Sequence, residues 1–349
     1  QHVLIGHAHN YDKNTRSVAK IRATCGQSLL STDGKMWRRH RQLIQPAFER
    51  ESLARFVPDM LDTVIPMLDR WSEVARTGQS VNVVSEMTRV TLRIAARCLF
   101  GTDIDQDADR VERCLEVILD DTWRRLESWV DWGQISTAFQ SRSYRAAVEE
   151  IDQIVYRIIT SRRKQDSAPD DLLSMLLRSH DTDNESGLDD QELRDACVTL
   201  LLAGHETTAN ALAWTCYLLS SAEPVETRLR EELGQVLGGS HPEESAMQQL
   251  TYTNQVFAES IRMYPSIWIM ERHVVADDEI AGHLIPAGST LLISPFVLHR
   301  HPEFWPDCET FDPDRFVPQV ARTRPPLSYL PFGAGPHQCV GQEMASLVA

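Results

Sequence analysis

Apolar positions recur about every 3.6 residues through most of the chain up to Met263, the mark of amphipathic helices. Between Glu51 and Arg76, the residues Leu53, Phe56, Val57, Met60, Leu61, Val64 and Leu68 share one face. Further helices are predicted over Asn82–Leu99, Ala108–Leu126 and Ser143–Lys164, with polar faces rich in Arg, Asp and Glu. The stretch SAPDDLLSMLLRSHDTDNESGLDD reads as a short helix followed by a polar loop. From Leu188 to about Ala222 a helical pattern runs without proline; at ~1.5 Å per residue it spans roughly 50 Å, enough to cross a domain. Helices over Val225–Leu237 and Met247–Met263 follow, the second halted by Pro265. The pattern then changes. HVVADDEIAGHLIPAGSTLLISPFVLHR alternates and carries tight-turn residues, so it predicts strands. A Pro- and Asp-rich irregular segment leads on to Pro331. The expected architecture is mainly α with a small, late β region, in a single domain over residues 1–349.

Composition narrows the function classes. A hydrophobic content of 42% and a charged content of 24% describe a soluble globular chain. The net charge of -15 argues against nucleic acid as the main partner. The seven cysteines are scattered, odd in number and contain no C-x-x-C, which fits reduced thiols and a cytoplasmic setting better than a disulfide framework. Asn184-Glu185-Ser186 matches a glycosylation acceptor, a pattern common by chance. The chain opens without Met or a signal-peptide pattern and closes inside a helical pattern. We therefore expect a piece lacking both termini, with any membrane anchor upstream of Gln1. Ala196–Ala222 is apolar enough to raise the question of a membrane span, but His205 and Glu206 at its centre make that costly. No span is predicted. His205-Glu206 also begins like a zinc-binding H-E-x-x-H helix, yet the second histidine position is Ala209.

The segment PFGAGPHQCVG, Pro331 to Gly341, surrounds one thiol with three glycines and two prolines. A lone cysteine is most often structural. Here Gly333, Gly335 and Gly341 permit close backbone approach and positive φ. Free N–H groups in such a loop, and a helix start in the following QEMASLV, can stabilise a thiolate. A thiolate held this way suits a metal, haem iron among them.

Phe332 to Gly341 resembles the haem-binding loop of the cytochrome P-450 family, F-x-x-G-x-x-x-C-x-G. Other motifs of that family follow in the right order. Glu259-Ser-Ile-Arg262 resembles its E-x-x-R, a spacing that alone also describes an ordinary surface ion pair. Phe311-Asp-Pro-Asp-Arg315-Phe316 resembles the segment whose arginine completes a structural triad with Glu259 and Arg262. Ala203-Gly204-His205-Glu206-Thr207-Thr208 resembles the mid-helix motif placed above the haem. A glycine there costs roughly 1 kcal/mol against Ala, and a local opening of the helix would explain it. Trp37-Arg-Arg-His-Arg41 resembles the W-x-x-x-R that binds a haem propionate, and Arg272 the strand arginine that does the same. His337 stands where the family usually has arginine, which makes that contact depend on pH.

The resemblance implies the P-450 fold, truncated, covering essentially the whole chain, and haem b as cofactor. It implies Cys339 as axial ligand, with Phe332, Gly333, His337 and Gly341 around it. It implies Glu206 and Thr207 as the proton-delivery pair. The activity implied is insertion of one atom of O2 into a C–H bond. Electrons would come from a ferredoxin, a flavodoxin or a flavoprotein reductase. Lys35, Arg38 and Arg39 are candidates for docking an acidic partner. Substrate contacts would fall on Leu201, Leu202 and Ala203 and on Ile267, Trp268, Ile269 and Met270. These are apolar, so a hydrophobic substrate such as a fatty acid or terpenoid is expected. Tyr264-Pro-Ser-Ile-Trp268 resembles bacterial relatives of the fatty-acid-hydroxylating branch. Two alternatives remain: a haem-thiolate enzyme that uses peroxide or rearranges a hydroperoxide, and a non-catalytic haem-binding protein.

Overall fold

The computed structural model describes residues 1–127, 141–165, 169–179, 187–239, 242 and 244–349. The Asn184-Glu185-Ser186 tripeptide and its polar loop lie outside the described residues. The N-terminal half contains α1 (Arg16–Cys25), α2 (Gly34–Ile44), α3 (Arg50–Ala54), α4 (Val57–Thr77), α5 (Val83–Phe100), α6 (Ala108–Glu127), α7 (Arg142–Arg163) and α8 (Leu172–Arg178). Next come the long α9 (Asp190–Leu219), α10 (Glu223–Leu237), α11 (Glu244–Met247) and α12 (Thr251–Met263). Three short helices complete the set: α13 (Pro295–Leu298), α14 (Pro318–Ala321) and α15 (Gln342–Val348).

Most helices fall where the periodicity places them, and two divide. The helix expected over Glu51–Arg76 is two, broken at Arg55–Phe56, because Pro58 fits only the first turn of a new helix. The one expected over Met247–Met263 starts afresh at Thr251.

The core is built on α9. Its Leu193, Ala196, Cys197, Val198 and Leu201 are buried. They belong to the same apolar cluster as Val90, Ile94 and Leu99 of α5 and Ile151, Ile154 and Ile158 of α7. Each such aliphatic side chain contributes about 1.5–3 kcal/mol on burial. The start of α9 is fixed by a capping box: Asp189 Oδ1 accepts the Glu192 N–H at 2.8 Å, and Glu192 Oε2 accepts the Asp189 N–H at 3.0 Å. The other oxygen of Glu192 pairs with Arg39 and His40, tying α9 to α2.

The β region contains β1 (Tyr11–Asp12), β2 (Met270–Val274), β3 (Asp278–Ile280), β4 (His283–Ile285) and β5 (Thr290–Ile293). An antiparallel sheet has the order β1-β2-β5, and β3-β4 is a separate hairpin. The pairing of Tyr11 with Val274 and of Asp12 with His273 brings the first residues of the chain beside the last third. Two residues of strand leave no alternation to read, so β1 has no signature of its own.

The irregular segment after β5 is anchored on α12 by a buried ion pair. Glu259 and Arg262 are both wholly buried, with Arg262 Nε 2.6 Å and Nη2 2.8 Å from the two carboxylate oxygens. Burial pushes the Glu259 carboxyl up, and the Arg262 hydrogen bonds and charge oppose it. Arg262 also donates to the carbonyls of His299 at 2.9 Å and Cys308 at 2.8 Å, and Glu259 accepts the Asp312 N–H at 3.0 Å. Arg315 completes the expected triad at 3.4 Å from Glu259, while its terminal nitrogens donate to the Pro306 and Asp307 carbonyls. Behind it, the Trp305 ring has the guanidinium groups of Arg262 at 5.2 Å and Arg324 at 4.3 Å from its centre.

His299, absent from any motif, carries this anchor to the cysteine loop. Its Nδ1 faces the Arg262 carbonyl at 3.2 Å and its Nε2 accepts the Leu330 N–H at 2.8 Å, a pair of bonds that only the neutral Nδ1–H tautomer makes. Burial lowers its pKa from 6.5 to about 4. The unfolded chain therefore binds the proton first. The stabilisation is complete above about pH 6.5 and is lost as the pH falls through 4, an effect on the order of 3 kcal/mol. We expect the urea midpoint of the wild type to fall steeply between pH 6.5 and 4. His299→Gln keeps a donor and an acceptor but cannot titrate, and should flatten that slope; equal slopes in the two proteins would refute the assignment.

Candidate functional site

The cysteine loop is set by its backbone. Gly333 and Gly335 adopt φ of 69° and 72°, which an L side chain rarely takes. A Cβ on Gly335 would overlap the Leu4 carbonyl oxygen, so the loop presses against the N-terminal turn. Gly341, by contrast, has φ of -88° and needs no such freedom. The Cys339 N–H donates to the Phe332 carbonyl at 2.9 Å and closes the loop. Cys339 itself is exposed on one side. The loop packed behind the sulfur pushes the thiol pKa up, opposed by the Gly341 amide and the charge of Arg41. The amide expected from the sequence is therefore present, but it does not outweigh burial. A bound metal ion removes that proton itself.

Beside the loop, cations gather with too few anions. On α2, Trp37 is buried with its ring 4.2 Å from that of His337. His337 Nε2 lies 3.1 Å from Asp33. Arg41 donates to the Gln338 carbonyl at 2.7 Å. Arg272, on β2, faces the same carboxylate, and so does Lys13. Lys13 is buried, its backbone N–H 2.6 Å from Asp33 and its ammonium 5.7 Å from the centre of the Trp37 ring. Burial lowers the pKa of each of these groups: Lys13 to about 8, and Arg41, Arg272 and His337 in the same direction. Asp33 is the counter-charge that faces Lys13, Arg272 and His337, and the buried Nδ1 of His337 lacks a hydrogen-bond partner. Such a cluster fits a ligand bearing carboxylates, as the propionates of haem b are. The sequence offered no signal for Lys13. It enters because β1 pairs with β2 and the register continues from Asp12.

On the other side, α9 runs unbroken from Asp190 to Leu219, so the local opening expected at Gly204 is absent. Its hydroxyls satisfy carbonyls instead. Thr207 Oγ1 donates to the Ala203 carbonyl at 2.7 Å and Thr208 Oγ1 to that of Gly204 at 3.0 Å. Ser266 Oγ donates to the Thr207 carbonyl at 2.6 Å, which draws the segment carrying Ile267, Trp268 and Ile269 to the mid-helix motif. Glu206 is half-buried, its carboxylate accepting the Trp123 indole N–H from α6 at 3.1 Å. Trp123 is a second contact that no motif foreshadowed. His205 turns into the core and is kept neutral by burial.

Leu202 and Ala203 are partly exposed, Ile267 and Trp268 exposed, and Ile269 and Met270 half-buried. Leu201 is a correction: it is 1% exposed and packs in the core rather than lining a site. An apolar cleft of about 480 Å³ is lined by Trp214, Tyr264, Pro265, Trp268 and Phe296 with Asn210 and Ser266. A larger cleft of about 550 Å³ lies between α4, α5 and α6, but its walls are charged and paired among themselves, as in Arg93–Asp109. It is not part of this site. Lys35 and Arg38 are exposed on α2, whereas Arg39 is engaged by Glu192 and the Gly187 carbonyl. Among the described residues no helix is long and apolar enough to cross a membrane.

Comparison with known proteins gives the same family. The family model described as Cytochrome P-450 matches residues 1–348. Cyclooctat-9-en-7-ol 5-monooxygenase of Streptomyces melanosporofaciens is 35% identical over 327 residues, 93% of this chain and 70% of that protein. Cyclooctatin synthase of the same organism is 34% identical, covering 98% and 74%. Pentalenene oxygenase of Streptomyces avermitilis is 32% identical, covering 96% and 74%. The crystal structure of the cytochrome P450DA heme domain superposes with a TM-score of 0.89 at 26% identity, covering 98% of this chain and 75% of that one. With its thiol loop, its buried Glu–Arg anchor and these relatives, the chain belongs to the cytochrome P-450 family and is a haem b monooxygenase that acts, with O2 and a redox partner, on hydrophobic substrates.

Proposed function

We propose that Cys339 would supply the thiolate that holds the haem iron, that Phe332, Gly333 and Gly341 shape its loop, and that Lys13, Trp37, Arg41, Arg272 and His337 would hold the propionates. The observation that carries this reading is the surplus of cations beside the thiol loop, with Lys13 buried and Arg41 and Arg272 half-buried, over the Asp33 carboxylate that faces Lys13 and Arg272. The chemistry haem would supply there is the activation of dioxygen for insertion into a C–H bond, to which the thiolate would lend electron density. The chain's residues do the rest. The Gly341 N–H holds the sulfur. The Thr207 hydroxyl, its hydrogen directed to Ala203, keeps lone pairs available to receive a proton. Glu206 exchanges protons with solvent, and Trp123 fixes the carboxylate at the helix surface.

For the substrate we propose a terpenoid-like hydrocarbon skeleton. The support is the apolar surface of Leu202, Ala203, Ile267, Trp268 and Ile269 together with the terpenoid oxygenations for which the relatives are named. Electrons come from a ferredoxin, flavodoxin or flavoprotein reductase, received on the exposed Lys35 and Arg38. All seven cysteines are free, which fits a cytoplasmic setting. The presence of both Glu206 and Thr207 favours a monooxygenase over a peroxide-using or hydroperoxide-rearranging enzyme.

The reduced, carbon-monoxide-bound spectrum tests the ligand. The haem-loaded protein should show the main band well to the red of an imidazole-ligated haem, and Cys339→His should lose that shift while retaining haem. A red-shifted band surviving in the variant would remove Cys339 from the site. NADPH and O2 consumption with a supplied redox partner, and addition of one oxygen atom to a cyclic terpenoid in preference to a fatty acid, test the reaction.

Lys13 separates haem binding from stability. Its folded pKa lies near 8 against 10.5 ordinarily, so the buried cation costs stability at pH 7, by about 3 kcal/mol, and the cost fades as the pH rises from 8 to 10.5. Lys13→Met should speed haem transfer to apomyoglobin by about tenfold without lowering the urea midpoint of the haem-free chain. Unchanged haem transfer would exclude Lys13 from the propionate site.

Gly204 gives a complementary split. A Cβ there would meet Ala95 at an ordinary 3.9 Å, so packing does not require glycine. Gly204→Ala should raise stability by up to about 1 kcal/mol yet lower turnover several-fold. Full activity in this variant would mean that the open glycine face does not serve the reaction.

A further inference from the structure

The haem site leaves the histidines at the start of the chain unused. His2 to Gly6 form a π-turn, in which the His7 N–H donates to the His2 carbonyl at 2.8 Å. π-turns are rare and collect at functional sites. This one brings the two imidazoles together, with ring centres 4.0 Å apart and planes tilted by 47°. Both face Asp278 at the start of β3: His2 Nε2 lies 2.9 Å and His7 Nδ1 3.3 Å from the same carboxylate oxygen. All three ligand atoms fall within 4.8 Å of one another. A tetrahedral zinc site with bonds of about 2.0–2.1 Å has its donors roughly 3.3 Å apart, so small side-chain rotations suffice to admit an ion.

The carboxylate is already oriented. The Tyr11 hydroxyl donates to Asp278 Oδ2 at 2.7 Å, and the Glu279 N–H donates to Oδ1 at 2.8 Å. Tyr11 is itself 2% exposed and locked in β1. This is the supporting shell that metal ligands need. His7 is exposed and His2 and Asp278 partly so, which leaves a path for an ion from solvent. Two imidazoles and one carboxylate suit a borderline first-row dication such as Zn2+, not Mg2+ or Ca2+, which take oxygen ligands.

We propose that His2, His7 and Asp278 form a Zn2+-class metal site, with water completing the tetrahedron, that clamps the N-terminal turn to the β3-β4 hairpin. The clamp bears on the haem loop. Leu4, inside the same π-turn, is buried against Leu330 and Ala334, and its carbonyl abuts Gly335.

The test uses haem-loaded, tag-free protein freed of metal by chelation. Isothermal titration with ZnCl2 should show one equivalent bound, together with a rise in the unfolding temperature that MgCl2 does not produce. His7→Gln should weaken binding more than tenfold, since even loss of a supporting group costs about 10–100-fold. His2→Gln/His7→Gln should abolish both binding and stabilisation while leaving the carbon-monoxide spectrum unchanged. Wild-type protein that takes up no Zn2+, or a double variant that binds it with the same stoichiometry and affinity, overturns the proposal.

Discussion

The ion pair of Glu259 and Arg262 is the constraint on which the placement of the cysteine loop depends. Both groups are fully withdrawn from water, which is tolerable only because every polar atom of the two side chains has a partner. The two side chains satisfy each other twice, and their remaining donors and acceptors take the backbone of the segment from His299 to Asp312. A chain without regular structure is thereby held as firmly as a strand. His299 extends the same logic one step further, from the Arg262 carbonyl to the Leu330 N–H, and the cysteine loop starts at the next residue. Removing either partner of the pair would leave a buried charge uncompensated and release the loop along with it.

The loop in turn sits where three remote parts of the chain meet. The N-terminal turn supplies Leu4 and Lys13, α2 supplies Trp37 and Arg41, and β2 supplies Arg272. These elements bring positive charge together against electrostatic preference. Protein groups alone do not repay that cost, since Asp33 offsets only part of it. Under the proposal above, haem bound there would offset that cost and couple its binding free energy to the order of the surrounding loops. The open glycine and the Glu206-Thr207 pair lie on α9, a helix whose other sides are buried in the core. In the proposed site the rigid core carries one half and the anchored loop the other.

How much of this was legible depended on range. The long helices announce themselves through apolar periodicity because each needs a buried stripe, whatever it packs against. The thiol loop and the E-x-x-R pair were legible as motifs because their chemistry lies within ten residues. Lys13, Trp123 and His299 were not. Each acts on a partner more than 20 residues away: the Lys13 ammonium on the Trp37 ring, Trp123 on Glu206, His299 on Leu330. A lone residue of this sort leaves no pattern. The unbroken course of α9 at Gly204 and the burial of Leu201 were misjudged for a related reason: which face of a helix is open depends on its neighbours, and here Leu201 is enclosed in the core cluster while Gly204 stays exposed, with Ala95 of α5 at an ordinary contact distance.

By itself, then, the sequence determined the helical class, the order of the motifs and the identity of the thiol, since these follow from local periodicity and from residue types at short spacing. The tertiary structure alone decided which charges converge on the loop, which tautomer His299 adopts, that the Cys339 thiol is pushed up rather than down, and that two histidines at the start of the chain face Asp278. Burial and long-range pairing govern those outcomes, and both are properties of the packed chain.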